Sequence, residues 1–156
     1  MNEKMRRKDR ETTEERAYEI LKNGEYGILS TIGEDGYPYG VPVNFAVEGN
    51  KIYFHCAPEG YKLECLRENP KVSFTVVGAT QIVPGKFTTG YESTIAFGEI
   101  HLDLPEEERR YALRLLVNKY SSAFKEIGEK YIEKYRTNIL RLDISHISGK
   151  CKRLSQ

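Results

Sequence analysis

A run of residues in the first half of the chain has the types and spacing of a phosphate-binding turn. The residues Tyr53–Cys56 are typical of a short strand, a Pro/Gly turn ends at Gly60, and a helix with Lys62 in its first turn follows. Backbone N–H groups at a helix N-terminus lack intrahelical acceptors, and the helix dipole places partial positive charge there. Gly60 lets the backbone approach an anion closely, and Lys62 adds a full charge. The run therefore indicates a phosphate site, although a plain turn beside a solvated lysine has the same composition.

Two polar residues close to this turn are candidates for chemistry. His55 could be a phosphate ligand, an acid or base, or a packed strand residue, and its position favours the phosphate role. Asn44 lies on an otherwise apolar strand and offers both a donor and an acceptor, but a polar residue at a strand end looks the same. The catalytic residue is unassigned, with His55 as the candidate.

The overall composition limits the class of protein. A chain of 156 residues makes one domain, over positions 1–156, and its net charge of +1 shows no basic excess for a nucleic-acid partner. The N-terminus has no signal-peptide core, and no segment approaches the ~20 apolar residues of a membrane span. Three cysteines and three histidines without metal spacing predict no zinc site and favour reduced thiols in a cytoplasmic protein.

Turn and capping signals divide the chain into strands with inserted helices. Thr12 and Glu15 resemble a capping box, and Pro105 fits the first position of a later helix. The pairs Asp35-Gly36 and Gly49-Asn50 favour tight hairpins. Strands are predicted over 26–32, 37–47, 51–55, 72–76, 91–102 and 139–144, and helices after Thr12 and over 61–68, 105–120 and 122–135.

Glycines mark two irregular places in this pattern. Gly98 predicts a bulge or bend within the strand 91–102. The stretch from Gly78 to Gly90 contains Pro84 and three glycines, so it is predicted to be a long turn or mobile loop and a candidate lid. Strands joined by tight hairpins with helices between them predict a mainly β, α+β fold, an antiparallel barrel with peripheral helices.

Five short motifs come in one order along the chain. They are Met5 to Arg10 (MRRKDR), Val41 to Phe45 (VPVNF), Tyr53 to Lys62 (YFHCA with EGYK), Tyr91 to Glu99 (YES and FGE) and Ile147 to Lys150 (ISGK). This order resembles that of the nitroimidazole-resistance (Nim) proteins of the pyridoxamine 5′-phosphate oxidase-like superfamily. The resemblance covers nearly the whole chain, and the five motifs are more specific together than any one alone.

The resemblance implies a split β-barrel homodimer that binds one FMN at each of two sites across the subunit interface. Tyr61 and Lys62 match an Arg–Lys pair that grips the FMN phosphate, so one charge is missing at Tyr61. Phe54 and His55 match a pair beside the phosphate and ribityl chain, and Lys150 would approach the cofactor near the interface. The cofactor-binding residues implied in this way are Val41, Pro42, Val43, Asn44, Phe54, His55, Glu59, Gly60, Tyr61, Lys62, Ser93 and Lys150.

The activity implied by the resemblance is that of an oxidoreductase passing electrons from NAD(P)H to a small organic acceptor such as a 5-nitroimidazole. Authentic pyridoxamine 5′-phosphate oxidase activity is not expected, because residues 145–152 lack that enzyme's Arg-x-His motif. The alternative is a non-catalytic flavin- or haem-binding split barrel, in which His55 or His146 would be the axial ligand of a haem. A degenerate barrel that binds nothing stays open because of Tyr61.

Overall fold

A computed structural model describes residues 5–153 of the chain. Its strands are β1 Gly27–Ile32, β2 Pro38–Val43, β3 Ala46–Glu48, β4 Lys51–Cys56, β5 Lys71–Val83, β6 Thr88–His101 and β7 Asn138–Lys152. Its α-helices are α1 Glu14–Asn23, α2 Tyr61–Glu68, α3 Glu106–Tyr120 and α4 Lys125–Lys134. Within this part of the chain, no helix is long and apolar enough to cross a membrane.

The seven strands form one antiparallel sheet in the order β2-β1-β5-β6-β7-β4-β3. The strands β2 and β3 lie at opposite edges of this sheet, yet only Asn44 and Phe45 separate them in sequence. The sheet must therefore curl until its edges approach, while no ladder joins β2 to β3. This arrangement is a split barrel, and the predicted fold class is confirmed.

The single strand predicted over 37–47 is wrong, because the chain changes partners at Asn44 and Phe45. The strand β2 pairs with β1, from Pro38 opposite Ile32 to Val43 opposite Gly27. After the break, β3 pairs with β4 through the tight turn predicted at Gly49-Asn50. The alternating apolar pattern continues through both strands, so the pattern does not reveal the break between them.

The hydrophobic core fills the inside of the curled sheet, and a second cluster lies outside it. Phe74 is at the centre of the inner cluster, with the rings of Phe45 and Phe54 edge-on to it at 4.8 and 5.0 Å between centroids. In β4, Ile52 and Phe54 belong to the inner cluster and Tyr53 to the outer one, as expected for a strand buried on both faces. The outer cluster holds α3 and α4 against the sheet through the buried side chains of Ala112, Leu113, Leu116 and Ile132.

Two helices begin one residue away from the predicted signals. The hydroxyl of Thr13, and not of Thr12, accepts from the Arg16 N–H at 3.3 Å and caps α1. The N–H of Thr12 instead donates to the Gly149 carbonyl on β7 at 3.0 Å. Pro105 takes the N-cap position of α3 rather than its first helical position. Competing hydrogen bonds and neighbouring strands, which capping patterns do not include, decide these starting residues.

The loop predicted between Gly78 and Gly90 is wrong, while its role as a lid stays a prediction. The strands β5 and β6 extend through this stretch as a paired hairpin arm, with Val83 opposite Thr88. The turn is a short 3₁₀ segment at Pro84–Lys86, and the register shifts between Val77 and Thr80. Glycine and proline therefore occupy the bulge and the turn, while the β-branched residues between them form ladder pairs.

The bulge predicted at Gly98 lies where the register between β6 and β7 shifts. Phe97 is opposite His146, whereas Gly98 is opposite Ile144, so Ser145 is the extra residue on β7. A Cβ atom on Gly98 would collide with the backbone carbonyl of Asp143. Beyond the bulge β7 continues to Lys152, eight residues past the predicted end at Ile144, and pairs with β6 along most of its length.

Candidate functional site

The N-terminus of α2 presents unpaired backbone donors at the end of β4. Gly60 is the N-cap residue with a φ of 134°, and no side chain caps the helix. The N–H groups of Leu63 and Glu64 donate to the Gly60 carbonyl at 2.9 and 3.3 Å, which leaves those of Tyr61 and Lys62 without intrahelical acceptors. A Cβ atom at Gly60 would meet nothing within 4 Å. The helix end is therefore open to an anion.

Lys62 brings its positive charge to the last residue of β4. Burial raises the pKa of the Cys56 thiol, and the charge of Lys62 partly opposes this shift. The Cys56 sulfur also accepts from the amide nitrogen of Asn138 on β7, at 3.6 Å. The predicted phosphate site thus combines free N–H groups and one ammonium group at the junction of β4 and α2.

The side chain of Tyr61 points away from an anion at this helix end. Its ring packs edge-on against Tyr39 of β2 at 5.1 Å between centroids, and its hydroxyl lies against Gly33 in the β1–β2 turn. The Tyr61 hydroxyl therefore packs α2 against this hairpin and does not face a phosphate at the helix end. Glu59 is exposed in the turn before the helix, where its carboxylate would repel an anion.

The outer edge of β2 is open and rich in carbonyl groups. In the β1–β2 turn, the N–H of Gly33 donates to Tyr37 at 3.0 Å, which sets the alternation of bonded pairs along the hairpin. Pro38, Gly40 and Pro42 then fall in positions whose backbone groups point away from β1. Two of the three are proline, so this edge offers several acceptors and only the N–H of Gly40 as a donor.

Asn44 and Tyr120 fix the break between β2 and β3. The Asn44 side-chain amide donates to the Glu25 carbonyl at 2.9 Å, so its nitrogen is committed to the fold. The Tyr120 hydroxyl accepts from the Phe45 N–H at 3.0 Å and lies 2.7 Å from the Glu25 carbonyl oxygen. The side-chain oxygen of Asn44 stays available to a ligand. The sequence places Tyr120 only at the end of the helix predicted over 105–120 and does not indicate this role.

The two predicted residues on β4 differ in what they can offer a ligand. The ring of Phe54 is fully buried in the core, so a side-chain contact between Phe54 and a cofactor is excluded. His55, the next residue, is exposed. Both residues pair with β7, whereas β3 pairs only with Lys51 to Tyr53, and the other backbone edge is free. The end of β4 therefore lines the split with backbone groups and the His55 imidazole.

Ser93 and Lys150 lie far along β7 from the predicted site residues at the end of β4 in the same chain. They are directly opposite each other on β6 and β7. His55 is opposite Ile139, and Lys150 lies eleven residues further along β7. At about 3.3 Å per residue, this separation is about 36 Å along the strand. One chain thus holds Ser93 and Lys150 apart, along β7, from the residues at the end of β4.

Comparison with known proteins identifies relatives of the chain at the level of family and fold. A family model described as pyridoxamine 5′-phosphate oxidase matches residues 13–151. No curated protein matches the chain at a significant level of sequence similarity. The family match therefore extends from the start of α1 to the end of β7 and includes every predicted site residue.

Several solved structures have the same fold at low sequence identity. A protein described as a candidate 5-nitroimidazole antibiotic resistance protein from Bacteroides thetaiotaomicron is 23% identical, with a TM-score of 0.73, and the match covers 88% of this chain and 83% of that one. The FAD- and haem-binding protein of Mycobacterium smegmatis is 19% identical, with a TM-score of 0.76 and coverage of 92% and 73%. The flavocytochrome Anf3 of Azotobacter vinelandii is 21% identical, with a TM-score of 0.76 and coverage of 98% and 75%.

Proposed function

The chain belongs to the pyridoxamine 5′-phosphate oxidase family, and we propose that it is a flavoprotein that binds FMN in the split of its barrel. The family resemblance seen in the motifs is thereby confirmed. The observation that carries the proposal is the uncapped N-terminus of α2, with Gly60 and Lys62 beside the split. A flavin mononucleotide needs a site for its phosphate, backbone groups for its ring edge and an apolar wall.

The residues at the junction of β4 and α2 fit the phosphate. The free N–H groups of Tyr61 and Lys62 and the Lys62 ammonium supply donors and positive charge. The Tyr61 side chain adds no charge, and Glu59 could take part only through its backbone. Lys62 is therefore expected to carry most of the charge-dependent part of phosphate binding.

The residues of β2 fit the edge of a flavin ring. The ring edge carries both hydrogen-bond acceptors and a donor, and the open edge of β2 offers the Pro42 carbonyl, the Gly40 N–H and the Asn44 side-chain oxygen. Val41 and Val43 are half-buried and supply apolar surface next to these groups. When bound, the flavin supplies the redox chemistry, and these residues position it.

A homodimer explains why Ser93 and Lys150 lie apart from the split in one chain. Two-fold symmetry would let the β6–β7 pair of one subunit complete the split of its partner. Each dimer would then contain two equivalent sites, each with Lys62 from one subunit and Lys150 from the other. The separation of about 36 Å along β7 between Ile139, which is opposite His55, and Lys150 supports this arrangement over a site within one subunit.

The activity that we propose is the transfer of electrons from NAD(P)H to a small organic acceptor such as a 5-nitroimidazole. The fold shared with the Bacteroides thetaiotaomicron protein supports this choice of acceptor. His55 is the exposed imidazole next to the proposed phosphate, and it is the candidate to donate a proton to a bound acceptor. The expected cytoplasmic location stays a prediction.

The test is reconstitution of the full-length protein with FMN, FAD and haemin in parallel, followed by visible spectroscopy. We expect the bands of an oxidised flavin with FMN, their loss on anaerobic addition of NADH or NADPH, and their return when a 5-nitroimidazole is added. Protein that stays colourless with both flavins would contradict flavin binding. A Soret band alone would favour the haem-binding alternative, and flavin that no nicotinamide reduces would contradict the oxidoreductase activity.

A further inference from the structure

A positively charged cleft lies between the N-terminal segment and the end of β7. It has a volume of 730 Å³, and we call it the basic cleft. Two acidic residues, Asp9 and Glu11, line it. The five basic side chains that also line it are Arg7, Arg10, Arg16, Lys152 and Arg153. None of these residues belongs to the split, and the MRRKDR motif that supplies two of them has no role in the proposed flavin site.

Three of the cations in the basic cleft have no carboxylate partner among the described residues. Arg7 pairs with Asp9, and Arg16 pairs with Glu19 and Glu92. Among residues 5–153, no carboxylate lies within ion-pair distance of Arg10, Lys152 or Arg153. The cleft therefore carries an excess of positive charge in a protein whose overall net charge is only +1.

Tyr91 lies beside Arg10, in a groove that adjoins the basic cleft, and its hydroxyl is exposed to this positive charge. The Arg10 guanidinium lies 3.5 Å from its hydroxyl, and the Lys150 ammonium lies 6.0 Å from its ring centroid. Burial raises the pKa of the Tyr91 hydroxyl, but hydrogen bonds and charges from Arg10 and Lys150 outweigh this, and the pKa is lowered overall. An anion at this position would meet a favourable potential.

The basic cleft continues into an apolar groove along the β5–β6 hairpin arm. Arg10 and Lys152 line both spaces, and the groove adds a volume of 660 Å³ bordered by Ile82, Pro84, Phe87 and Tyr91. The side chain of Phe87 is 98% exposed, and its φ of 46° lies in the left-handed region. This conformation costs about 1 kcal/mol in a residue other than glycine, and such strain is often found at functional sites. The hairpin tip thus holds an aromatic ring open to a ligand.

We propose that the basic cleft and the adjoining groove bind a nucleotide, with its phosphates on Arg10 and Lys152 and its base against Phe87. The three cations without a carboxylate partner in residues 5–153 match the roughly three negative charges of a nucleoside diphosphate, and an exposed aromatic ring suits a base. Arg10 and Lys152 lie where the basic cleft joins the apolar groove. A nucleotide needs both surfaces, one for its charged phosphates and one for the stacking of its base. In the proposed dimer Lys150, which lies beside Tyr91, reaches the partner's split, so this site borders the flavin site.

The diphosphate could come from three sources that share an ADP group: a free nucleotide, the nicotinamide dinucleotide or FAD. The first experiment is therefore calorimetric titration of the full-length protein with ADP and with inorganic pyrophosphate. Competition by NADPH or by FAD against bound ADP then identifies which larger molecule uses the site. The visible spectrum gives the flavin content in a separate measurement. A failure of flavin binding and a failure of nucleotide binding are therefore distinguishable.

Two variants and one control decide the outcome. Arg10→Gln is expected to weaken both ADP and pyrophosphate by about 10-fold or more, as for a lost charge-assisted hydrogen bond. Phe87→Ala, at an exposed position where folding is not at risk, is expected to weaken ADP and leave pyrophosphate unchanged. Lys86→Gln removes a charge next to Phe87 but outside both linings and is expected to bind as the wild type does. Absence of ADP binding, or equal losses in Arg10→Gln and Lys86→Gln, would overturn the proposal.

Discussion

At the scale of single residues, the ammonium group of Lys119 lies in an unfavourable environment for a charge. Its ammonium nitrogen is buried and has no hydrogen-bond partner among the described residues. It lies 3.7 Å from the centroid of the Phe45 ring, a cation–π contact that partly offsets burial. Burial lowers its pKa to about 8 from the ordinary 10.5. The folded protein therefore favours the neutral amine more than the unfolded chain does.

This shift predicts how stability depends on pH. Between pH 8 and pH 10.5 the unfolded chain binds more protons at Lys119 than the folded one, so stability rises with pH in this window. Below the window the full cost of the buried charge is present. Lys119→Met is expected to raise the melting temperature at pH 7 by about 2–4 °C, as for a change of about 1 kcal/mol in the free energy of unfolding. It should also reduce the increase of stability between pH 8 and pH 10.5.

The measurement for Lys119 is thermal unfolding by circular dichroism between pH 7 and pH 10.5. The matched control is Lys125→Met on the exposed start of α4, which should leave both melting temperature and pH dependence unchanged. A lower melting temperature for Lys119→Met at pH 7 would show that the contact with Phe45 outweighs desolvation.

Residues whose roles depend on local structure could be predicted, and those with distant partners could not. Gly60 and Lys62 were recognised because a turn followed by a helix is visible within a few residues. The partners of Tyr120 are Glu25 and Phe45, 95 and 75 positions away. No spacing rule links such positions, so the hydrogen bonds of Tyr120 at the break between β2 and β3 could not be predicted from the sequence. The roles in cofactor binding stay predictions.

At the scale of elements, the bulge at Gly98 gives a direct test of the β6–β7 register. A Cβ atom there would collide with the backbone carbonyl of Asp143, which a side-chain movement cannot relieve. Gly98→Ala is expected to cost about 1–3 kcal/mol in the free energy of unfolding, as for overpacking in a core. Gly85→Ala in the turn of the hairpin arm is the control, because its Cβ would meet nothing within 4 Å.

The measurement for Gly98 is urea unfolding of both variants. Equal midpoints for Gly98→Ala and Gly85→Ala would contradict the register assigned to β6 and β7.

Sequence patterns located most elements but misjudged those whose pairing is long-range. Glycine and proline between Gly78 and Gly90 suggested a loop, because these residues interrupt strands more often than they shape bulges. The strand β7 continues past its predicted end because β6 provides a partner along its length. In the helix predicted over 122–135, the apolar side chains of Phe124, Ile127 and Tyr131 lie in solvent, and the buried residue is Ile132.

At the scale of the whole molecule, the predicted barrel is confirmed, but its split could not be located from the sequence. Apolar alternation runs through both β2 and β3, and only their pairing with β1 and β4 separates them. The separation of His55 from Lys150 along β7 is also a property of the whole fold. It is this separation that supports a site completed by a second subunit.

A composite site predicts complementation between two damaged subunits. Lys62→Ala and Lys150→Ala homodimers should both bind FMN weakly, because each site lacks one lysine. A heterodimer of the two variants would contain one intact site and one doubly altered site, and should therefore bind one FMN per dimer with wild-type affinity. The measurement is FMN titration of co-expressed, differently tagged subunits, with sedimentation expected to give twice the chain mass of 18.0 kDa. A monomer, or a heterodimer without an intact site, would contradict the shared site.

The most direct test of the account is the difference in affinity between FMN and riboflavin, which differ only by the phosphate. The wild type should bind FMN more tightly, and Lys62→Ala should lose about 10- to 100-fold in FMN affinity, as for one charge-assisted hydrogen bond of about 1.5–3 kcal/mol. Its riboflavin affinity should not change, and Lys22→Ala on the exposed face of α1 should match the wild type in both. Equal affinities of the wild type for FMN and riboflavin would contradict a phosphate site at the N-terminus of α2.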